Sequence, residues 1–181
     1  MTGMNRQDVR RPHILICDPI HEAGLSMLQE QMYVDIKTDL SPDALLAIVH
    51  EYDGLVVENN THVTADLIDH ALNLRVIGRA GSGFDHIDVN HAQEKEIPVI
   101  NCPDANTLAV AEHTMGLLLS LARRLPRAYT SLMEGKWDVS QLMGTGLSGK
   151  TLGIVGFGRV GREVAIRAEA FGMKLIVNEP S

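Results

Sequence analysis

The sequence predicts an α/β fold built on a mostly parallel sheet. Short, nearly continuous apolar runs recur along the chain, as in strands that are buried on both faces. The runs are residues 14–17, 33–36, 54–57, 74–77, 98–100, 152–155 and 175–177. Stretches with helical apolar spacing separate most of these runs. Strands alternating with helices in this way favour parallel strands joined by crossover helices.

The helices of the first half are marked by N-cap residues. Ser41, followed by proline and aspartate, is typical of a helix start. Thr64 and Asp88 are expected to cap two further helices, and residues 23–28 form an earlier helical stretch. Each strand of the first half is therefore followed by a candidate helix.

The pattern changes after Pro103. Residues 107–125 predict one long apolar helix ended by Pro126, and residues 127–137 form a second amphipathic stretch. Residues 138–150 show little periodicity and are expected to form a loop. We therefore predict two domains, 12–103 and 104–181.

Composition limits the classes of function. The chain has 181 residues, is 45% hydrophobic and carries a formal charge of −7, which is ordinary for a globular protein and argues against a nucleic-acid partner. Its start lacks a signal-peptide core, and charges interrupt its most apolar helix, so a cytoplasmic protein without a membrane span is expected. Cys17 and Cys102 are expected to be buried thiols, and no residues show metal-ligand spacing.

A glycine turn near the end carries the strongest functional pattern. Gly156, Gly158 and Gly161 have GxGxxG spacing between an apolar run and a helical stretch, and a second apolar run leads to Glu179. In such a turn the glycines allow the bend, the close approach of a pyrophosphate and tight helix packing. Glu179 lies near the roughly 20-residue distance at which an acid binds the ribose, which favours NAD over NADP. The alternative is a glycine-rich turn that binds nothing.

A second candidate site follows the run at 74–77. Residues 79–83 are predicted to form a loop in which two glycines flank a serine, and its amides could make a concavity for an anion. The alternative is a plain tight turn. Arg79 is either an anion partner or a surface arginine.

Several motifs occur together in one order. They are Gly78 to Asp88 (GRAGSGFDHID), Asn101-Cys102-Pro103, Ala111-Glu112-His113-Thr114, Gly135-Lys136-Trp137 and Gly149 to Gly161. On these motifs the chain resembles the D-isomer-specific 2-hydroxyacid dehydrogenases, most closely the phosphoglycerate dehydrogenase subfamily, from about Ile14 to Pro180.

The resemblance implies a flavodoxin-like substrate domain followed by the start of a Rossmann dinucleotide-binding domain. It implies hydride transfer between NAD and a small 2-hydroxy or 2-oxo acid, in a homodimer or higher homo-oligomer. Ser82 and Gly83 would bind the substrate carboxylate near the nicotinamide, with Arg79 beside them. Arg159 and Val160 would contact the pyrophosphate, next to the three glycines, and Glu179 the ribose.

Two departures from the family are expected to matter. Glu58 stands where phosphoglycerate dehydrogenases usually carry an arginine for the substrate phosphate. The family's catalytic arginine, glutamate and histidine are expected beyond Ser181, so no catalytic residue is assigned in this chain. His86, His91 and His113 are interpreted as structural or solvent-facing. The alternatives to a dehydrogenase are a non-catalytic, NAD-binding, dimerising module and an inactive fragment of such an enzyme.

Overall fold

The computed structural model describes residues 10–179. Most of the polar N-terminal stretch (residues 1–9) and residues 180–181 lie outside the described part. Backbone contacts divide the chain between Ala105 and Asn106 into two compact units, each of which is described by itself.

The first unit is built on a parallel sheet of five strands in the order β2-β1-β3-β4-β5. The strands are β1 (His13–Ile16), β2 (Tyr33–Ile36), β3 (Gly54–Val57), β4 (Val76–Arg79) and β5 (Val99–Asn101). The helices are α1 (Glu22–Gln31), α2 (Pro42–Ile48), α3 (Ala65–His70) and α4 (Val89–Glu94), with a 3-10 turn at Val49–Glu51. This strand order is that of flavodoxin-like folds, and the direction of winding reverses between β1 and β3.

The core of this unit confirms the apolar runs of β1, β3 and β4 as buried strands, whereas the edge strands β2 and β5 are partly exposed, with Tyr33 at 61% and Ile100 at 59%. Leu15, Leu55 and Ile77 are at most 1% exposed on three neighbouring strands. The N-caps are also confirmed, because Ser41, Thr64 and Asp88 each accept a hydrogen bond from the backbone amide three residues ahead. Local capping and burial on both faces therefore explain why these segments fold as they do.

Two predicted boundaries are wrong. The fourth strand runs from Val76 to Arg79, two residues later than predicted, so Arg79 ends a strand and does not belong to the loop. The long helix ends at Ala122, and Arg124 adopts a left-handed conformation with φ 54°. Pro126 lies in the first turn of the next helix, where a missing amide costs nothing, so it helps to start that helix.

The second unit contains α5 (Thr107–Ala122), α6 (Leu125–Met133), a 3-10 turn at Val139–Leu142, β6 (Thr151–Val155), α7 (Arg159–Ala170) and β7 (Lys174–Asn178). β6 and β7 pair in parallel, and α5 packs on α7. Its core includes Ala111, Met115, Ile154, Val164 and Ala168. Of the helices within residues 10–179, none is long and apolar enough to cross a membrane.

The two cysteines differ in environment. Cys17 is 3% exposed, and its pKa is raised to about 12, first by burial and then by the neighbouring Asp18 carboxylate. Cys102 is exposed, which contradicts the expectation of a second buried thiol. Both are free thiols.

Candidate functional site

The loop after β4 lies at the carboxyl edge of the sheet in the first unit. The Ala80 amide donates to the Val57 carbonyl of β3 at 2.8 Å. On the other side the Cys102 amide donates to Gly81 O at 3.0 Å, and Asn101 Nδ2 donates to Ser82 O at 2.7 Å. The loop is therefore fixed between the ends of β3 and β5, at the edge where open α/β sheets bind ligands.

The two backbone amides predicted to bind the substrate carboxylate donate to no protein acceptor. Within the described residues, the amides of Ser82 and Gly83 make no hydrogen bond, and Ser82 is exposed. Two consecutive amides that donate to no protein acceptor could bind one anion, as the sequence predicts. The Asp85 carboxylate lies close to this loop. A Cβ placed at position 83 would be 2.9 Å from Asp85 Oδ2.

Arg79 lies beneath the loop. Its side chain is 8% exposed, so the interpretation of a surface arginine is wrong. One guanidinium nitrogen, Nη2, donates to Asn59 Oδ1 at 2.8 Å, and Nη1 lies 3.7 Å from Glu58 Oε1. A Cβ at Gly81 would overlap this guanidinium, so the loop packs directly on the buried cation.

Asp18, at the end of β1, fixes the segment that follows β3. It is fully buried, and its Oδ2 accepts hydrogen bonds from the amides of Glu58 at 2.6 Å and Thr61 at 3.2 Å. No site role is predicted from the sequence for Asp18, Asn59 or Asn101. Their sequence signal is that each lies one or two residues after an apolar run, and parallel strands end at one edge of the sheet; Asn101 also begins the Asn101-Cys102-Pro103 motif.

A pocket of about 320 Å³ opens at the same edge of the first unit. Its walls include the apolar side chains of Leu45 and Leu67 and the polar residues Asp18, Thr38 and Thr61. Residues 81–83 do not line it. The candidate anion loop is therefore an open surface feature and not part of this pocket.

The glycine turn of the second unit joins β6 to α7. Gly156 has φ +89°, a conformation that side chains disfavour, and its amide donates to Asn178 O at 2.8 Å. A Cβ at Gly161 would overlap the Gly156 carbonyl, so only glycine lets the helix pack on the turn. Gly158 is the N-cap, and a Cβ there would meet nothing within 4 Å. The turn is therefore tight on its inner side and open on its outer side.

The start of α7 is arranged as an anion site. The N-cap residue Gly158 has no side chain that could cap the helix, and the Arg162 amide donates to Gly158 O at 3.1 Å. Arg159, Val160 and Gly161 form the first turn of the helix, at the positive end of its dipole. Such amides are suited to phosphate oxygens.

Glu179 lies at this turn. Its carboxylate accepts a hydrogen bond from the Phe157 amide, directly after Gly156. The structure thus brings Glu179 together with the glycines, Arg159 and Val160 at one end of β6 and β7, while Ser82 belongs to the first unit.

The histidines occupy structural or surface positions. His91 Nε2 lies 3.1 Å from Asp69 Oδ1, and its Nδ1 lies 3.5 Å from Glu94 Oε2. The rings of His62 and His86 meet edge to face at 4.7 Å. His113 is exposed on α5. These contacts give none of them a distinct role in proton transfer.

Comparisons of sequence place this chain among known dehydrogenases. The family model of the D-isomer specific 2-hydroxyacid dehydrogenase catalytic domain matches residues 14–172. A D-3-phosphoglycerate dehydrogenase of Methanocaldococcus jannaschii is 48% identical over 92% of this chain and 32% of its own length. A hydroxypyruvate reductase of Thermotoga maritima is 46% identical over 94% of this chain and 56% of its own. The chain thus spans between a third and just over half of these relatives.

Comparisons of structure agree. A Thermus thermophilus protein superposes with a TM-score of 0.86 at 34% identity, over 93% of this chain and 56% of its own. An NAD-dependent formate dehydrogenase of Staphylococcus aureus, in complex with NAD, superposes with a TM-score of 0.80 at 30% identity, over 93% of this chain and 56% of its own. An acyclic imino acid reductase in complex with NADPH superposes with a TM-score of 0.83 at 27% identity, over 91% of this chain and 55% of its own. The chain therefore belongs to the D-isomer specific 2-hydroxyacid dehydrogenase family.

Proposed function

We propose that this chain supplies the substrate domain (12–103) and the first part of the cofactor domain (104–181) of an NAD-dependent 2-hydroxyacid dehydrogenase. The reaction removes a hydride and a proton from the alcohol carbon and hydroxyl of a 2-hydroxy acid, which becomes a 2-oxo acid. Membership of the family supports this reaction class. Two relatives are named for reactions of this class, a D-3-phosphoglycerate dehydrogenase and a hydroxypyruvate reductase.

The glycine turn carries the proposal of a dinucleotide cofactor. A Cβ added at Gly158 would meet no atom within 4 Å, and the amides of Arg159, Val160 and Gly161 follow it, so the backbone of this turn is accessible for close approach of a diphosphate. Nicotinamide, when bound, accepts or donates the hydride. Glu179 would hold the ribose hydroxyls and oppose the extra phosphate of NADP, which favours NAD.

The loop after β4 would bind the carboxylate of the substrate. The Ser82 and Gly83 amides would donate to its oxygens, and the buried Arg79 guanidinium beneath Gly81 would add a positive charge at short range. Fixing the carboxylate orients the neighbouring carbon, from which the hydride leaves. No described residue is assigned to the accompanying proton transfer.

Self-association is part of the proposal. The helices α5 and α6 expose large apolar side chains, including Leu117, Leu121 and Tyr129, which are 58%, 81% and 67% exposed. Such a surface favours burial against a second copy of the chain. Sedimentation velocity over a range of concentrations tests this homodimer.

The glycine turn with open space at Gly158 is the observation that carries the function, and a titration of NADH tests it. Adding the folded 181-residue chain to NADH is expected to change the nicotinamide fluorescence in a saturable way, and NAD should reverse the change by competition. A folded chain that leaves the fluorescence unchanged and does not retain labelled NAD on dialysis would refute the proposed cofactor site.

A further inference from the structure

The pocket at the carboxyl edge of the first unit has apolar walls that suit a small aliphatic group. Its volume of about 320 Å³ is at the lower end of the range for ligand pockets, so it would hold a molecule of a few carbon atoms. Leu45 of α2 and Leu67 of α3 line it and are 5% and 3% exposed, and Leu40 and Leu46 lie beside them. Hydrocarbon bound here would be removed from water on several sides.

The pocket lies where open α/β sheets bind ligands. The segments that follow β1, β2 and β3 contribute Asp18, Thr38 and Thr61 to its wall. The winding of the sheet reverses between β1 and β3. Sheets of this kind bind ligands in the crevice outside the strand ends at such a reversal. The position therefore favours a ligand over a packing defect.

One oxygen of the Asp18 carboxylate has no partner. Asp18 is fully buried, and its Oδ2 already accepts from the amides of Glu58 and Thr61. Its Oδ1 is also buried and accepts no hydrogen bond from the residues that the structure describes. A buried carboxylate oxygen without a donor destabilises the folded state. Since Asp18 lines the pocket, a donor group bound there can supply the missing hydrogen bond.

The charge in the wall determines which donor fits best. The pocket lining within residues 10–179 includes no lysine or arginine, and its other titratable side chain is His62. A primary ammonium group combines a positive charge with three hydrogen-bond donors, and hydrogen bonds between charged groups are the strong ones. A carboxylate in the same place would be repelled by Asp18.

From this arrangement we infer that the pocket is a binding site for a small aliphatic ammonium compound, whose ammonium group donates to Asp18 and whose hydrocarbon part packs on Leu45 and Leu67. The inference does not rest on the proposed function, because residues 81–83 and the glycine turn do not line the pocket. It gives the first unit a ligand other than the 2-hydroxy acid.

The test compares isopentylamine, a cation at neutral pH, with isovalerate, an anion with the same carbon skeleton. Each is titrated into the full 181-residue chain and followed by NMR on the methyl signals of Leu45 and Leu67. The amine is expected to shift these signals in a saturable way, with a dissociation constant at least about tenfold below that of isovalerate. Equal affinity for both compounds would overturn the inference. Signals that the amine does not move, as in a pocket that holds only water, would also overturn it.

Asp18→Asn tests the carboxylate itself. The side-chain amide oxygen can still accept from the Glu58 and Thr61 amides, while an NH2 group takes the place of Oδ1. A variant that melts cooperatively should bind isopentylamine at least about tenfold more weakly than the unsubstituted chain. Unchanged binding would contradict the role of Asp18. If the variant does not fold, the comparison of the two compounds in the unsubstituted chain still decides.

Glu51→Gln is the control for loss of charge. It removes one negative charge from an exposed residue that precedes β3, at the opposite edge of the sheet from the pocket. This variant should bind isopentylamine like the unsubstituted chain. Equal weakening in Glu51→Gln and Asp18→Asn would show that net charge governs the binding, and the assigned site would then be wrong.

Discussion

Replacing Gly158 by alanine tests the dinucleotide site without disturbing the fold. Gly158 has φ −69° and ψ −160°, which alanine adopts readily, and its added methyl group would meet no atom within 4 Å. The methyl group would instead occupy the open space in which we place the diphosphate. Alanine is a poorer N-cap than glycine, so a small loss of thermal stability is expected.

The size of the effect follows from the hydrogen bonds at stake. A methyl group between the turn and the phosphate would prevent close approach to at least one amide. A hydrogen bond to a charged group contributes about 1.5–3 kcal/mol, which corresponds to a rise in the dissociation constant for NADH of about 10- to 150-fold. A steric overlap that displaces the whole diphosphate would raise it further.

The assay is fluorescence titration of NADH against the unsubstituted chain, Gly158→Ala and the control Gly153→Ala. Gly153 lies in β6, is exposed and also has open space at its Cβ position, but it lies before the turn. The control should bind like the unsubstituted chain. If Gly158→Ala melts cooperatively and still binds NADH within about twofold of the unsubstituted chain, then the diphosphate does not lie against this turn and the reasoning is wrong.

Two further predictions concern Glu179 and the cysteines. In Glu179→Gln, the side-chain amide oxygen can still accept from the Phe157 amide, but the negative charge is lost. The affinity for NADPH relative to that for NADH should therefore rise about tenfold in paired titrations. An unchanged affinity ratio would exclude Glu179 as the group that discriminates between the two cofactors. With a thiol reagent at pH 8, Cys102 should react rapidly in the native chain, whereas Cys17 should react only after denaturation, because it is buried and its pKa of about 12 leaves almost no thiolate. Rapid reaction of both thiols in the native chain would contradict this assignment.

The elements that sequence predicts well are those fixed by contiguous residues. The N-caps Ser41, Thr64 and Asp88 act on amides three residues away, and the turn from Gly156 to Gly161 closes within a few residues. Their geometry depends little on the rest of the fold. Proline is less informative, because Pro126 fits the end of one helix and the first turn of the next equally well, and only the left-handed Arg124 distinguishes them.

The contacts that sequence does not predict depend on strand order. Arg79 is expected in a loop from the sequence but ends β4, where its guanidinium donates to Asn59 Oδ1 and lies 3.7 Å from the Glu58 carboxylate, both beyond the end of the neighbouring strand. Asp18 reaches Glu58 and Thr61 across about forty positions in the chain, because β1 and β3 are neighbours. Periodicity identifies strands but carries no information on which strands are adjacent, so these partners become visible only in the structure.

The two candidate sites would recognise their ligands by different means, and this difference bears on which residues could vary without loss of the proposed function. The glycine turn would bind the diphosphate of its cofactor through backbone amides, and glycine at position 158 leaves room for that approach. At the edge of the first sheet, the loop amides would bind only the carboxylate that all 2-hydroxy acids share. Discrimination between acids would then fall to the side chains around the loop, and replacing those side chains would leave the backbone amides of both candidate sites in place.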